Sequence, residues 1–163
     1  MRIATTLMGG ALLALLAHVS LAREDDGNGV SGKQPPQRDQ LRIATQKICP
    51  VSGRLLGEHG DPIKVAVGEN KEEIYLCCEA CTRGKLDAEH WATIHSNIAR
   101  AQGQCPVMQK PLPKNAKWTI VNGQIVYVCC PPCTDKIEKD PERFLKRVDD
   151  YYAAAIESDA RAR

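Results

Sequence analysis

The chain has few aromatic residues: one Phe, two Trp and four Tyr among 163 residues. So few large side chains leave little material for the single core that a domain of this length ordinarily builds, and another source of stability is needed. The sequence supplies eight cysteines. In a short chain such an excess indicates cross-linking, by disulfide bonds or by bound metal ions.

An excess of charge of one sign is also missing, since 22 basic residues accompany 20 acidic ones. No basic segment alternates with aromatic residues, which is the pattern typical of nucleic-acid binding, so no nucleic-acid partner is expected. The sequence likewise has no Gly-rich phosphate loop, no paired carboxylates, and no Ser, His and Asp set shared by its repeats. We therefore expect no catalytic residue and no enzymatic activity.

No apolar run reaches the ~20 residues that a membrane-spanning helix needs. The longest lies within residues 1–22, follows Arg2 and ends in Ser20 and Ala22 before a charged stretch. This pattern is typical of a signal peptide cleaved after Ala22, so we expect an exported protein, periplasmic or secreted, with no stable membrane span after processing. Residues 23–40 contain Gly, Pro, Gln and charge without apolar periodicity, which predicts a disordered linker.

An internal repeat organises the remaining sequence. Each copy begins with Cys-Pro-Val, at Cys49 and at Cys105, and continues to Tyr-x-Cys-Cys-x-x-Cys-Thr, at Tyr75 and at Tyr127. Every cysteine of the chain belongs to one of two equivalent quartets. The first quartet consists of Cys49, Cys77, Cys78 and Cys81, and the second of Cys105, Cys129, Cys130 and Cys133.

The repeat predicts an α+β fold of two small modules, treble-clef-like or zinc-finger-like, at residues 41–101 and 102–157, with a tail at 158–163. Each module is expected to contain a β-hairpin, because apolar residues alternate in two short runs ahead of the cysteine cluster. The second copy carries the stronger signal, since Asn122-Gly123 supplies the positive φ angles of a two-residue turn.

A helix is predicted after each cysteine cluster. In the first copy Asp87 is expected to cap the helix and Gly103 to lie at its end, and in the second copy Asp140 and Pro141 are expected to begin it. The apolar residues of both helices form stripes that are expected to enter the core and to pack the copies together. These are Trp91, Ile94, Ile98 and Ala101, then Phe144, Leu145, Val148, Tyr152, Ala155 and Ile156.

The cysteine spacing favours metal binding. A cysteine ahead of a hairpin and cysteines at the start of the following helix converge in small zinc-binding folds. Four thiolates form a tetrahedral shell suited to Zn²⁺, and thiolates also select Cu(I). The positive end of the helix favours the thiolate form of the ligands. We therefore expect up to two ions per chain, Zn or Cu, one in each quartet.

The vicinal cysteines complicate the ligand set. Adjacent residues of a strand point to opposite faces, so Cys77 and Cys78 both reach one ion only where the strand ends between them. We expect Cys49, Cys77 and Cys81 as the primary ligands, with Cys78 as a fourth where the turn permits it, and other sets of three stay open. The same reasoning applies to the second quartet.

Cys-Pro-Val, a hairpin, Tyr-x-Cys-Cys-x-x-Cys and Asp-Pro-Glu-Arg-Phe-Leu together resemble the YHS and TRASH heavy-metal-associated domains, and the second copy matches better. The resemblance implies metal binding in sensing, trafficking or resistance. As partners we expect metal ions and a metal-transport protein or metalloprotein. The spacers of 27 and 23 residues are longer than the family's, and the second cysteine of each vicinal pair is additional. The family's three-cysteine pattern maps onto Cys49, Cys77 and Cys81, and onto Cys105, Cys129 and Cys133.

Two alternatives stay open. Exported proteins meet oxidising surroundings, so the quartets can form a disulfide framework in a structural or interaction module, with Cys49 bonded to Cys78 and Cys77 to Cys81. Cys-x-x-Cys at a helix start is also used for thiol–disulfide exchange, although no βαβ pattern surrounds it here. Outside the quartets, Met108 is either a packing residue or a thioether ligand for Cu(I).

Overall fold

The computed structural model describes residues 36–162. The predicted signal peptide and residues 23–35 of the predicted linker lie outside this range. The helices are α1 (Gln37–Gln46), α2 (Ala88–Gln102), α3 (Pro132–Lys139) and α4 (Pro141–Arg161), and the strands are β1 (Ile63–Val67), β2 (Glu72–Leu76), β3 (Lys117–Val121) and β4 (Gln124–Val128). A 3-10 turn follows β2, at Glu79–Arg83. The predicted α+β class is confirmed.

The strands form the two predicted hairpins. β1 pairs antiparallel with β2, and β3 pairs antiparallel with β4, so that Val121 lies opposite Gln124. The turn between β3 and β4 has φ angles of 48° at Asn122 and 77° at Gly123, as the Asn-Gly signal predicts. Gly123 has a second reason to be glycine, because a Cβ there would lie 2.5 Å from Cγ of Glu73 in the first hairpin.

Helices α2 and α4 begin where the sequence predicts. The Asp87 carboxylate accepts hydrogen bonds from the N–H groups of Glu89 and His90, at 2.9 and 3.0 Å. Gly103, with a φ of 59°, caps the other end of α2. Helix α4 begins at Pro141, although the Asp140 side chain makes no capping hydrogen bond.

Residues 158–161 of the predicted tail continue α4. Two ion pairs accompany this last turn. Lys47 donates to Asp159 at 3.1 Å, and Arg161 donates to Glu157 one turn earlier, also at 3.1 Å. The first of these pairs joins the end of α4 to the end of α1. The polar composition of residues 158–163 does not predict this contact.

The disordered linker predicted through residue 40 is wrong for residues 37–40, which form the first turn of α1. Leu41 packs against the core of the second copy, and Arg38 donates from Nε to Asp149 Oδ2 at 2.7 Å. Asp149 lies 111 residues further along the chain. The composition of this segment is typical of a linker. Its contacts with residues far along the chain nevertheless stabilise it as a helix.

The two copies pack against each other, and the prediction that the helical stripes join them is confirmed. Ile98 and Ala101 of α2 contact the buried cluster that contains Leu145 and Val148 of α4. The hairpins are also joined, because the N–H of Glu73 donates to the carbonyl of Gly123 at 2.7 Å. No helix within residues 36–162 is both long and apolar enough to cross a membrane.

A buried arginine adds a further link between the copies. The Arg42 guanidinium donates to Glu73 Oε2 at 2.7 Å, to the Glu73 carbonyl at 3.1 Å and to the Gly123 carbonyl at 3.3 Å. A charge-assisted bond and two backbone acceptors satisfy most of the guanidinium's donors, which is what a buried arginine requires. Helix α1 therefore holds the strand that leads into the first cysteine cluster against the turn of the second hairpin.

Candidate metal centres

The first cysteine of each quartet lies in a tight turn of the same form. The Cys49 N–H donates to the Arg54 carbonyl at 2.8 Å, and the Gly53 N–H donates back to the Cys49 carbonyl at 2.9 Å. In the second copy the Cys105 N–H donates to Lys110 at 2.9 Å, and the N–H of Gln109 donates to Cys105 at 2.8 Å. The repeated Cys-Pro-Val motif therefore encodes a repeated backbone conformation.

The other three cysteines of each quartet follow a strand directly. β2 ends at Leu76, before Cys77 and Cys78, and the chain then enters the 3-10 turn. β4 ends at Val128, before Cys129 and Cys130, and the chain then enters α3. Because each strand ends just before the vicinal pair, the alternation of side chains in a strand no longer separates the two thiols.

In the first quartet the sulfur atoms are evenly spaced. The Sγ–Sγ distances are 3.9 Å from Cys77 to Cys78, 3.7 Å from Cys77 to Cys81, and 3.8 Å from Cys78 to Cys81. Cys49 completes the group, since its Sγ and those of Cys77 and Cys81 all lie within 4.8 Å of one another. The three cysteines expected as primary ligands therefore meet at one place, and Cys78 lies next to two of them.

The second quartet has a similar arrangement. The Sγ of Cys129 lies 3.8 Å from the Sγ atoms of both Cys130 and Cys133, and Cys130 and Cys133 are separated by 3.3 Å. The Sγ of Cys105 lies within 4.8 Å of those of Cys129 and Cys133. Among residues 36–162, two groups of side chains have all their ligand atoms within 4.8 Å of one another: Cys49, Cys77 and Cys81, and Cys105, Cys129 and Cys133. These are the primary sets expected from the sequence; Cys78 and Cys130 lie beside them, and no histidine joins them.

These separations suit a shared ion and not disulfide bonds. A tetrahedral ion with metal–sulfur bonds of about 2.3 Å has sulfur–sulfur edges of about 3.8 Å. Five of the six separations among the cysteines that follow the strands are 3.7 to 3.9 Å. A disulfide requires about 2.05 Å. All eight cysteines are unpaired, so the alternative pairing of Cys49 with Cys78 and of Cys77 with Cys81 is not present. Each cluster can hold one metal ion.

A buried glutamine holds the strand that leads into each cysteine cluster. No sequence pattern described above assigns a role to this residue. Gln46 at the end of α1 accepts from the Tyr75 N–H at 2.9 Å and donates to the Tyr75 carbonyl at 2.7 Å. Gln102 at the end of α2 does the same with Tyr127, at 2.8 and 2.7 Å. Each glutamine precedes the first cysteine of its quartet by three residues. This repetition in both copies is the sequence signal from which a structural role of the glutamine could have been predicted.

The same strand tyrosines are also held by their hydroxyl groups. The Tyr75 hydroxyl donates to Asp39 of α1 at 2.8 Å, and the Tyr127 hydroxyl lies 2.8 Å from Nδ1 of His95 in α2. The helix ahead of each quartet therefore fixes the strand that ends at the vicinal cysteines. Helix α2 thus belongs by sequence to the first copy and by these bonds to the second centre.

The thiols of a quartet differ in acidity. Burial alone would raise the pKa of Cys49, but hydrogen bonds from Ser52 and from backbone N–H groups stabilise its thiolate and lower its pKa to about 6. Burial, and hydrogen bonds with Cys77 and the other cluster sulfurs, raise the pKa of the Cys81 thiol to about 12. Each centre needs thiolates to bind an ion, so metal binding must displace protons from the more basic thiols.

Comparison with known proteins gives no match: no family model, no curated protein and no solved structure is similar to this chain. The assignment of the site therefore rests on the residues and their geometry.

Proposed function

We propose that this protein is exported and holds a soft metal ion, Zn or Cu, in each of two cysteine-thiolate centres, for metal trafficking, buffering or sensing. One observation carries the proposal. In each copy three cysteine sulfurs lie within 4.8 Å of one another, and a fourth, that of Cys78 or Cys130, lies 3.3 to 3.9 Å from two of them, as around a single ion. A four-sulfur shell favours Zn²⁺, and thiolates are also preferred ligands of Cu(I).

The recurrence of the centre supports metal binding over the alternatives. Both copies keep the cysteine turn, the glutamine that holds the strand, and the cluster after the strand, although most other residues differ between them. Thiol–disulfide exchange needs only the Cys-x-x-Cys pair, and neither Cys49 nor Cys105 would then have a reason to lie at the same sulfur cluster. A cysteine turn, a hairpin and a following helical turn also suit a treble-clef-like or YHS and TRASH-like module.

Native mass spectrometry of the protein lacking residues 1–22, combined with thiol alkylation after denaturation, tests the proposal. We expect two ions per chain and eight alkylated thiols. A chain without metal whose mass is eight protons low would contain four disulfides, and the proposed function would be wrong. Expression with the whole chain and analysis of the mature N-terminus tests the export part separately, because cleavage after Ala22 is expected.

A further inference from the structure

The four cysteines of each quartet differ in exposure. In the first quartet Cys49, Cys77 and Cys81 are 0%, 2% and 8% exposed, and Cys78 is partly exposed. In the second, Cys105 and Cys133 are 0% and 2% exposed, and Cys129 and Cys130 are partly exposed. The second cysteine of the vicinal pair is therefore reachable from solvent in both copies.

This exposed cysteine is nevertheless part of the cluster. Cys78 has an extended backbone, with φ −166° and ψ 166°, at the point where the chain leaves β2 for the 3-10 turn, and its Sγ remains within 3.9 Å of two buried sulfurs. Cys130 has the same place after β4, with its Sγ 3.8 and 3.3 Å from Cys129 and Cys133. Each centre thus combines buried cysteines with a partly exposed second cysteine of the vicinal pair, and in the second centre Cys129 is partly exposed as well.

We propose that Cys78 and Cys130 are the exchange ligands through which a thiol-bearing metal carrier loads or unloads each centre. The inference rests on the proposed function and adds the route of transfer. The three other cysteines of each quartet lie within 4.8 Å of one another and retain the ion. Two of them in the second centre, and all three in the first, are buried, which keeps an incoming ligand from reaching them first. The partner is identified by its chemistry, a soft thiol that is accessible on the surface of another molecule.

The transfer step is a ligand substitution without change of oxidation state. The sulfur of the incoming thiol forms a bond to the ion as the bond from the ion to the Cys78 sulfur breaks. The proton of the incoming thiol passes to the departing Cys78 thiolate, so that the total charge and the number of thiolate ligands are unchanged. Repetition at the next sulfur then moves the ion to the partner.

The geometry also ranks the two centres. The second centre has two partly exposed ligands, Cys129 and Cys130, where the first has only Cys78. In the first centre Ser52 Oγ lies 3.3 Å from the Cys77 sulfur, while the equivalent residue of the second is Met108, which is 44% exposed. We therefore expect the second centre to exchange its ion faster.

The test compares Cys78→Ser and Cys130→Ser with the matched variants Cys49→Ser and Cys105→Ser, all loaded with Zn²⁺. The readouts are ion count by native mass spectrometry and the rate of zinc transfer to a chromogenic chelator, with and without glutathione. The exchange-ligand variants should keep two ions per chain and transfer one of them roughly tenfold faster than wild type. The buried-ligand variants should lose one ion outright.

Loss of the ion from Cys78→Ser and Cys130→Ser as complete as from the buried-ligand variants would overturn the inference. A transfer rate from these variants equal to that of wild type would overturn it too. Glutathione should accelerate transfer from wild type in proportion to its concentration, and an unchanged rate would also contradict the proposal. A wild-type chain that carries no ion would instead contradict the proposed function. Circular dichroism of each variant separates loss of a ligand from failure to fold.

Discussion

The buried residues around the first cysteine quartet are mostly the cysteines themselves, since the cluster consists of Cys49, Leu76, Cys77 and Cys81. Around the second quartet, two buried cysteines join a larger hydrocarbon core that includes Val126, Ile137 and Leu145. The cysteines thus make up most of the buried cluster in the first copy, whereas in the second copy they are a small part of a larger apolar core. We therefore expect the stability of the first copy to depend more strongly on its bound ion than that of the second copy.

The largest expected effect follows from removing both ions with a strong chelator under reducing conditions. A structural thiolate site contributes on the order of 10 kcal/mol, and the first copy has little other buried material near its centre. We expect hydrogen exchange of the amides in β1 and β2 to accelerate strongly, while β3 and β4 keep most of their protection. Equal loss of protection in both hairpins would remove the proposed difference between the copies.

The matched glutamines give the next largest effect. Gln46→Leu or Gln102→Leu would leave a buried strand N–H and carbonyl without partners, so each should lower the free energy of unfolding by ~2–4 kcal/mol in urea titrations. Gln46→Leu should also release the first ion, whereas Gln102→Leu should leave the second ion bound. The control is Gln104→Leu, because Gln104 is exposed. An effect of Gln104→Leu as large as the others would contradict the assigned role.

A smaller effect is expected at the turn of the first centre. Gly53 and Gly57 both have positive φ angles, of 70° and 89°, but a Cβ on Gly53 would lie 2.5 Å from Nε2 of His90, whereas one on Gly57 would meet nothing within 4 Å. Gly57→Ala should cost about 1 kcal/mol of stability from backbone strain alone. Gly53→Ala should cost more and weaken zinc retention in the first centre, as competition with a chelator would measure.

The double variant Gly53→Ala with His90→Ala separates the two causes. It should recover the excess cost of Gly53→Ala over Gly57→Ala, because the steric conflict is gone and the strain remains. No recovery would mean that the loss arises from the backbone of the cysteine turn itself.

The smallest effect concerns pH and the residues that hold the two strand tyrosines. Burial lowers the pKa of His95 below its ordinary 6.5. Burial would raise the pKa of Asp39, but hydrogen bonds with Lys64 and Tyr75 lower it below 3.8. Both groups therefore contribute stability that is fully present above their unfolded pKa, 6.5 for His95 and 3.8 for Asp39, and that is lost as pH falls below this value and through the lower pKa of the folded state.

Between pH 6.5 and 5 the His95 contribution should therefore fall while that of Asp39 persists. The change should be below ~1 kcal/mol, because the His95 side chain is only half buried. The stability difference between wild type and His95→Gln, measured at pH 7 and pH 5, isolates this contribution from protonation of the thiols. A difference that does not shrink as pH falls would contradict it.

Much of the fold follows from local sequence signals. Asn122-Gly123, the Asp87 cap and Gly103 act on neighbouring backbone, and the structure has the turn and helix ends that they predict. The convergence of the quartets also follows, since strand, turn and helix place the cysteines within a short stretch. Helix α1 does not follow, because its partner Asp149 lies 111 residues away. Which cysteine faces solvent depends on the turn after each strand, which the spacing alone does not specify.

X-ray absorption at the zinc edge of the two-ion protein tests the central claim most directly. The account predicts a first shell of four sulfur atoms at about 2.3 Å around each ion, with Cys78→Ser and Cys130→Ser each replacing one sulfur by oxygen at its own centre. A wild-type shell with nitrogen or oxygen in place of sulfur, or a shell that these substitutions leave unchanged, would contradict the proposal that all eight cysteines are ligands of two four-thiolate centres.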